Sequence, residues 1–333
     1  MDETSTTGRK PRARAGRRAT TGALLAALAA AALLAGCTAT GPDGDDGRGR
    51  GDSSRDDRSG ASPVGSVLAV KIDNVSAARP QTGLDAADVV YAEQVEGGLS
   101  RLMAVYATKF PASVGPVRSA RESDLELLRQ FHEPTLAFSG AQSKLLPLID
   151  RAPLHAETPE DAGDAYFRGD EKPAPHNLYL RPGKLVGSPP GADALTTGFR
   201  YGPAPEGGTP EDSRTVRYPA ARFTFTWSGD SHRWQVSMDG TPTITTDGAR
   251  VAPATVVVQH VTIRASRFHD YLGNNTPYTE TVGSGRAEVL RDGRVFDARW
   301  ERETATDGTT FTTTDGAPMD FARGQVWVVY AKA

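Results

Sequence analysis

The chain has 333 residues and a formal charge of −3, from 38 Lys and Arg against 41 Asp and Glu, enough for two domains and a sizeable core. Residues 1–36 hold six of the bases and two of the acids, so the remainder carries 32 against 39, a charge of −7. That balance argues against nonspecific nucleic-acid binding, and a single cysteine, Cys37, excludes an intrachain disulfide.

The N-terminus has the form of an export signal. Arg9, Lys10, Arg12, Arg14, Arg17 and Arg18 precede an apolar run from Gly22 to Leu34, which is too short to span a bilayer comfortably. The run ends in Leu34-Ala35-Gly36-Cys37, which resembles the bacterial lipobox, where the cysteine is diacylated and becomes the first mature residue. We therefore expect a lipoprotein signal peptide over 1–36 and a lipid anchor at Cys37 on the outer face of the cytoplasmic membrane. The Arg17-Arg18 pair is compatible with twin-arginine export without requiring it. Residues 37–63, rich in Gly, Asp, Ser and Arg and without an aromatic, read as a disordered tether.

The folded part divides on composition into 64–205 and 206–333. Leu68–Ile72 reads as a strand ending in Asp73-Asn74, and Arg79–Gly83 as a Pro- and Gly-punctuated loop. A hairpin follows, Val89–Val95 and Leu102–Ala107 around Glu96-Gly97-Gly98, because glycine accepts the positive φ of a tight turn. A three-residue turn sets Glu93 opposite Arg101, and a two-residue turn sets Gln94 there.

The loop Phe110–Arg118 leads to Ser119-Ala120-Arg121-Glu122, whose capping-box spacing predicts a helix to about Phe131. Thr135–Phe138 reads as a strand and Gln142–Asp150 as a short helix. Alternation of strands and helices implies an α+β/mixed protein with an N-terminal α/β domain, its mixed sheet built around the hairpin. Residues 151–205 are irregular and contain Pro173–Tyr179 with its His176-Asn177 pair.

Beyond Gly202–Ser213 the chain changes character. Asp-Gly steps at 239, 247, 292, 307 and 315 separate β-prone runs such as Arg222–Trp227, Thr255–Ile263 and Gln325–Tyr330. They predict a predominantly β C-terminal domain whose core is largely filled by Trp227, Trp234, Trp300 and Trp327.

Several motifs in order resemble the YerB-like bacterial lipoproteins, a domain-of-unknown-function family with paired N- and C-terminal domains. They are Ile72-Asp73-Asn74, Ala78–Leu84, Ala87–Tyr91, Glu96–Gly98, Val114–Arg121 and Ala174–Tyr179, then Gly283-Ser284-Gly285, Asp292-Gly293, Trp300-Glu301-Arg302 and Asp315-Gly316. The similarity covers roughly 66–333 and implies a two-domain envelope lipoprotein with no established reaction.

Arg118 and Arg121 bracket a helix start, where free N–H groups and the helix dipole already present positive charge. Cations there need a negative partner. Asp73, Glu93 or Glu96 would make a structural ion-pair network, whereas a bound phosphate or carboxylate would make an oxyanion site. The candidate ligand-binding set is Asp73, Asn74, Arg79, Glu93, Glu96, Arg101, Arg118, Arg121, His176 and Asn177. No Ser or Cys nucleophile is identifiable beside His176-Asn177, the six His lack metal-ligand spacing, and no phosphate loop, nucleophile elbow or dinucleotide fingerprint occurs. No cofactor or metal is expected.

Three readings follow. The first is a noncatalytic module binding an anionic envelope ligand or a partner protein. The second is an enzyme acting on a phosphorylated wall or lipid intermediate, with Arg118 and Arg121 as clamp and Asp73 or Glu93 as general base or metal ligand. The third is an adaptor docking another envelope protein.

Overall fold

The computed structural model describes residues 65–270 and 273–333. The expected signal peptide, the lipobox with Cys37 and the tether lie outside the described residues.

The apolar runs of the sequence become strands of one mixed sheet. We label them β1 (Leu68–Asp73), β2 (Val89–Gln94), β3 (Ser100–Tyr106), β4 (Thr135–Ala137), β5 (His155–Glu157), β6 (Thr255–Val261), β7 (Gly283–Arg291), β8 (Arg294–Arg302), β9 (Thr310–Thr313) and β10 (Val326–Lys332). With the short strand Thr209–Pro210 beside β8, they form an eleven-stranded sheet in the order β9-β8-β7-β6-β10-β2-β3-β1-β4-β5. β10 lies parallel to both β2 and β6, with Val326 opposite Val89 on one side and Thr255 on the other.

This corrects the expected fold. An α/β domain followed by a separate β domain does not describe the molecule, because strands from both halves share one continuous sheet. The described α-helices are short: α1 (Glu122–Leu128), Leu146–Ile149 and Pro182–Leu185 have seven, four and four residues. α1 stops at Leu128 rather than near Phe131, and only four residues of the predicted Gln142–Asp150 helix are α-helical.

Both faces of the sheet are covered. On one, Val70, Ile72, Val90, Leu102, Val256 and Trp327 pack against Val216, Phe223, Phe225, Trp234 and Met238. Those residues belong to a second, four-stranded sheet of Ser213–Tyr218, Ala221–Ser228, Arg233–Met238 and Thr241–Pro242. On the other face, Ala69, Tyr91, Met103, Val105, Val257 and Val328 meet Leu127 and Leu128 of α1. Trp234, Trp300 and Trp327 are buried and Trp227 is half-buried.

Side chains alternate between the faces of a strand. Lys71 and Asp73 therefore continue the phase of Ala69, Glu93 that of Tyr91, and Arg101 that of Met103. The ends of the three central strands put charged residues where their middles put apolar ones, on the face that α1 covers.

Candidate functional site

The hairpin turn fixes the register of this charged row. Val95 N donates to Leu99 O at 2.9 Å, and Gly97 and Gly98 take positive φ of 66° and 71°. A side chain at Gly98 would also collide with Pro219, 2.5 Å from its Cβ position. Glu93 then stands opposite Arg101, and Arg101 opposite Asp73.

Opposite charges side by side on a sheet ordinarily pair, but here both carboxylates turn away. Glu93 contacts the Nζ of Lys71, which also donates to Asp124 Oδ1 at 2.6 Å, and Ser123 Oγ donates to Glu93 Oε2 at 3.1 Å. Lys71 is fully buried, and burial pushes it down to about 8 against the pull of Asp124.

Asp73, 2% exposed, holds Arg118 and His176 instead. Its Oδ2 lies 3.1 Å from Arg118 Nε and 2.8 Å from His176 Nδ1. The backbone sets this up: Asp73 N donates to Pro116 O, Arg118 N to Lys71 O, and Val117 N to Leu178 O. The irregular segment 114–118 thus runs along β1 and carries the His176 loop on its other side. Since the carboxylate accepts, Nδ1 of His176 carries the proton and Nε2 is left without a protein partner among the described residues.

Arg121 is committed to structure. Its Nε and Nη2 grip both oxygens of Glu96, at 2.7 and 2.6 Å, while Nη1 reaches the carbonyls of Ser119 and Ala120. Burial alone would raise the Glu96 carboxyl, but hydrogen bonds from Arg121 and Thr276 and the Arg121 charge hold it below the usual range. Asp124 Oδ2 accepts from Arg121 N at 2.6 Å, so the helix start is already capped.

Among the described residues Arg101 makes one hydrogen bond, from Nη1 to Ser119 O at 3.0 Å. Among the described residues no carboxylate lies within ion-pair distance of it. Burial, then the Arg121 and Arg118 charges, push it down to about 9, with Glu96 and Asp73 opposing. An arginine remains a cation at neutral pH all the same.

These groups line one cleft of about 820 Å³. Asp73, Glu96, Arg101, Arg118, Arg121 and His176 all face it. Asn74, Arg79, Glu93 and Asn177 do not line it. Asn74 donates to Ser100 Oγ and accepts from Gln81 and Arg79, and Arg79 continues to Asp239 of the four-stranded sheet. Asn177 accepts from Arg168 and donates to Gly169 O.

The far wall comes from the C-terminal half, through a two-stranded hairpin of Ile263–His269 and Asn275–Thr279. Phe268, His269, Asp270, Asn274 and Thr276 face the cleft. The hairpin is fastened by Thr276 Oγ1 to Glu96 Oε1 at 2.6 Å, Tyr278 OH to Glu126 Oε2 at 2.8 Å, and Arg267 against Glu122 at 3.5 Å. Sequence reasoning missed this wall, which lies some 150 residues from the arginines in the chain. It also missed Lys71, although a lysine inside the apolar run Leu-Ala-Val-Lys-Ile was a visible signal.

Among the described residues no group of three or more His, Cys, Asp and Glu side chains is arranged to hold a metal ion. Nor is any described helix long and apolar enough to cross a membrane.

YerB of Bacillus subtilis (strain 168), provisionally designated a lipoprotein, is 24% identical over 277 residues, covering 78% of this chain and 80% of that protein. A crystal structure of Bacillus subtilis YerB superposes with a TM-score of 0.66 at 20% identity, covering 80% of this chain and 91% of that one, which shows a shared fold. Residues 55–194 match the N-terminal domain, and 214–328 the C-terminal domain, of the family described as protein of unknown function (DUF3048). The chain belongs to this family of YerB-like proteins and carries both of its domains in order.

Proposed function

We propose that the chain is an extracytoplasmic lipoprotein, anchored through Cys37, whose cleft binds an anionic ligand of the cell envelope. The anchor reading is supported by the basic region, short apolar run and Leu34–Cys37 motif, and by the lipoprotein designation of the YerB relative. The anion reading rests on Arg101.

Arg101 is half-buried, and a charge partly withdrawn from water without an ionic partner costs free energy. The strand register offers Arg101 a carboxylate on each side, and the fold assigns both elsewhere, to Lys71 and to Arg118 with His176. A network built only for stability would have closed on Arg101. One left open toward a cleft suits a ligand that brings the missing charge, and guanidinium forks match oxyanions.

The test is thermal unfolding of the full chain in detergent micelles with phosphate or carboxylate anions, against chloride at equal ionic strength. A ligand bound only by the folded state stabilises it by about 2.7 kcal/mol at a hundred times its Kd. The melting temperature should rise with the oxyanions, and Arg101→Met and Arg118→Ala should each abolish the rise. If no oxyanion shifts the parent, the reading fails.

A further inference from the structure

We propose that the ligand of this cleft is an anionic amphiphile, the headgroup end of a lipid, whose oxyanion meets Arg101 and Arg118 and whose hydrocarbon chain starts out over Val75, Val95 and Leu99. This rests on the anion reading above and goes on to name what the oxyanion is attached to.

The strand ends supply the layout. Asp73, Glu93 and Arg101 form the charged row of β1, β2 and β3, with Glu93 opposite Arg101 and Arg101 opposite Asp73. In extended chain, side chains two residues apart project from the same face. Two residues beyond the charged row stand Val75, Val95 and Leu99. Their own backbones stay extended, with φ of −71°, −122° and −72° and ψ of 158°, −170° and −179°. Val95 N donates to Leu99 O across the turn. The order expected at a strand end is thus inverted, with charges inside and apolar side chains further out.

All three line the cleft, and Leu145 and Phe268 line it from other segments. Apolar residues scattered singly on a surface are ordinary, but these five converge on one concavity. Leu99 is 39% exposed. Of the large hydrophobics so exposed among the described residues, Leu99, Leu146 and Ile244, it alone lines the cleft.

The open donors stand next to this row. Arg121 spends its guanidinium on Glu96 and two carbonyls. Arg118 lies against Asp73 through Nε, and neither of its terminal nitrogens has a partner among the described residues. Arg101 uses only Nη1, on Ser119 O. Leu99 is two residues from Arg101, roughly 7 Å along an extended chain, so an oxyanion on these forks brings the first carbons of its substituent to Leu99.

Size points the same way. A phosphate group fills a few water volumes, on the order of 100 Å³, and alone would leave most of the cleft of about 820 Å³ empty. Sites of roughly 300–1,000 Å³ hold drug-sized molecules. Gln142, Ser143 and Asn274 also line the cleft, which makes a sugar phosphate the competing ligand. The apolar row adjoining Arg101 favours hydrocarbon beside the oxyanion.

The experiment is calorimetric titration of the full chain in detergent micelles, at constant pH and ionic strength, with methyl phosphate, butyl phosphate and glucose 1-phosphate. All three are phosphate monoesters, and the alkyl pair is short enough to remain in water. A fully buried methylene is worth about fourfold in affinity, so half-burial of three gives butyl over methyl phosphate a preference of about eightfold. Glucose 1-phosphate should bind no better than methyl phosphate. Leu99→Ser should cut the butyl preference to about threefold or less, whereas Ile244→Ser, at an exposed apolar residue outside the cleft, should leave it intact. Pentanoate against acetate repeats the comparison for a carboxylate head, and the tighter of the two long-chain ligands identifies the headgroup chemistry. Equal binding of methyl and butyl phosphate, glucose 1-phosphate binding as tightly as butyl phosphate, or a butyl preference unmoved by Leu99→Ser overturns the amphiphile and leaves anion binding standing. If none of these anions binds, both fall.

Discussion

Asp73 and Arg101 face each other across β1 and β3, yet the Asp73 carboxylate turns to Arg118 and His176. A carboxylate with a cation directly opposite it has been drawn sideways by a loop. The consequence is an arginine that can be removed at little expense to the fold.

Arg101→Met should therefore leave the ligand-free protein as stable as the parent or more so, by roughly 1 kcal/mol, because it deletes an uncompensated charge and retains an apolar stem. Thermal unfolding without added anion checks this. A loss of several kcal/mol would mark Arg101 as a structural residue.

Lys71 should behave oppositely. It is the shared ion-pair partner of Glu93 and Asp124 and has no exposure to water. Lys71→Met leaves both carboxylates buried without their cation and should cost about 3–5 kcal/mol in urea unfolding. Combining it with Glu93→Gln should cost less than the sum of the two single changes, since the residues are in contact.

Stability should hold or rise from pH 8 to 10 and fall above it. Lys71 sits at about 8 in the folded chain against 10.5 ordinarily, so between those values the unfolded chain binds the extra proton and its contribution rises with pH. Tyr91, Tyr106, Tyr218 and Tyr330 are raised above 10.0 by burial, so their contribution is complete below that pH and is lost as pH climbs toward their folded values. Melting temperature against pH checks the shape, and a decline beginning at pH 8 would contradict it.

Cys37→Ala should release the protein from membranes or leave an unprocessed precursor. Fractionation and the mobility of the product check this, and a normally processed variant that stayed on the membrane would overturn the anchor.

Much of the site was legible because its residues lie in short runs with local instructions. Asp73 ends an apolar strand, Glu96 sits on a Gly-Gly turn, Arg118 and Arg121 flank a capping sequence, and His176 follows a Pro-rich loop. Each could be located without knowing its neighbours. Which of them would pair could not be read, because that depends on the path of 114–118 beside β1 and on the register of the hairpin.

The fold was misjudged for a related reason. Strands alternating with helical periods suggested a self-contained α/β domain, while Val326–Lys332 inserts between Thr255–Val261 and Val89–Gln94, the latter a pairing over more than 200 residues, on which local propensity is silent. Helical spacing also promised a helix to about Phe131, whereas α1 ends at Leu128.

The placement of β10 has a consequence for synthesis. A chain made N-terminus first presents β2 long before its parallel neighbour, so the amides and carbonyls along one side of β2 must wait as an open edge, the kind of edge that mispairs and aggregates. Interrupting synthesis before residue 326 would strand β2 and β6 together in that condition. Truncated chains should accordingly accumulate as substrates of proteases and holdases, and the two halves, expressed apart, should aggregate more than the intact chain.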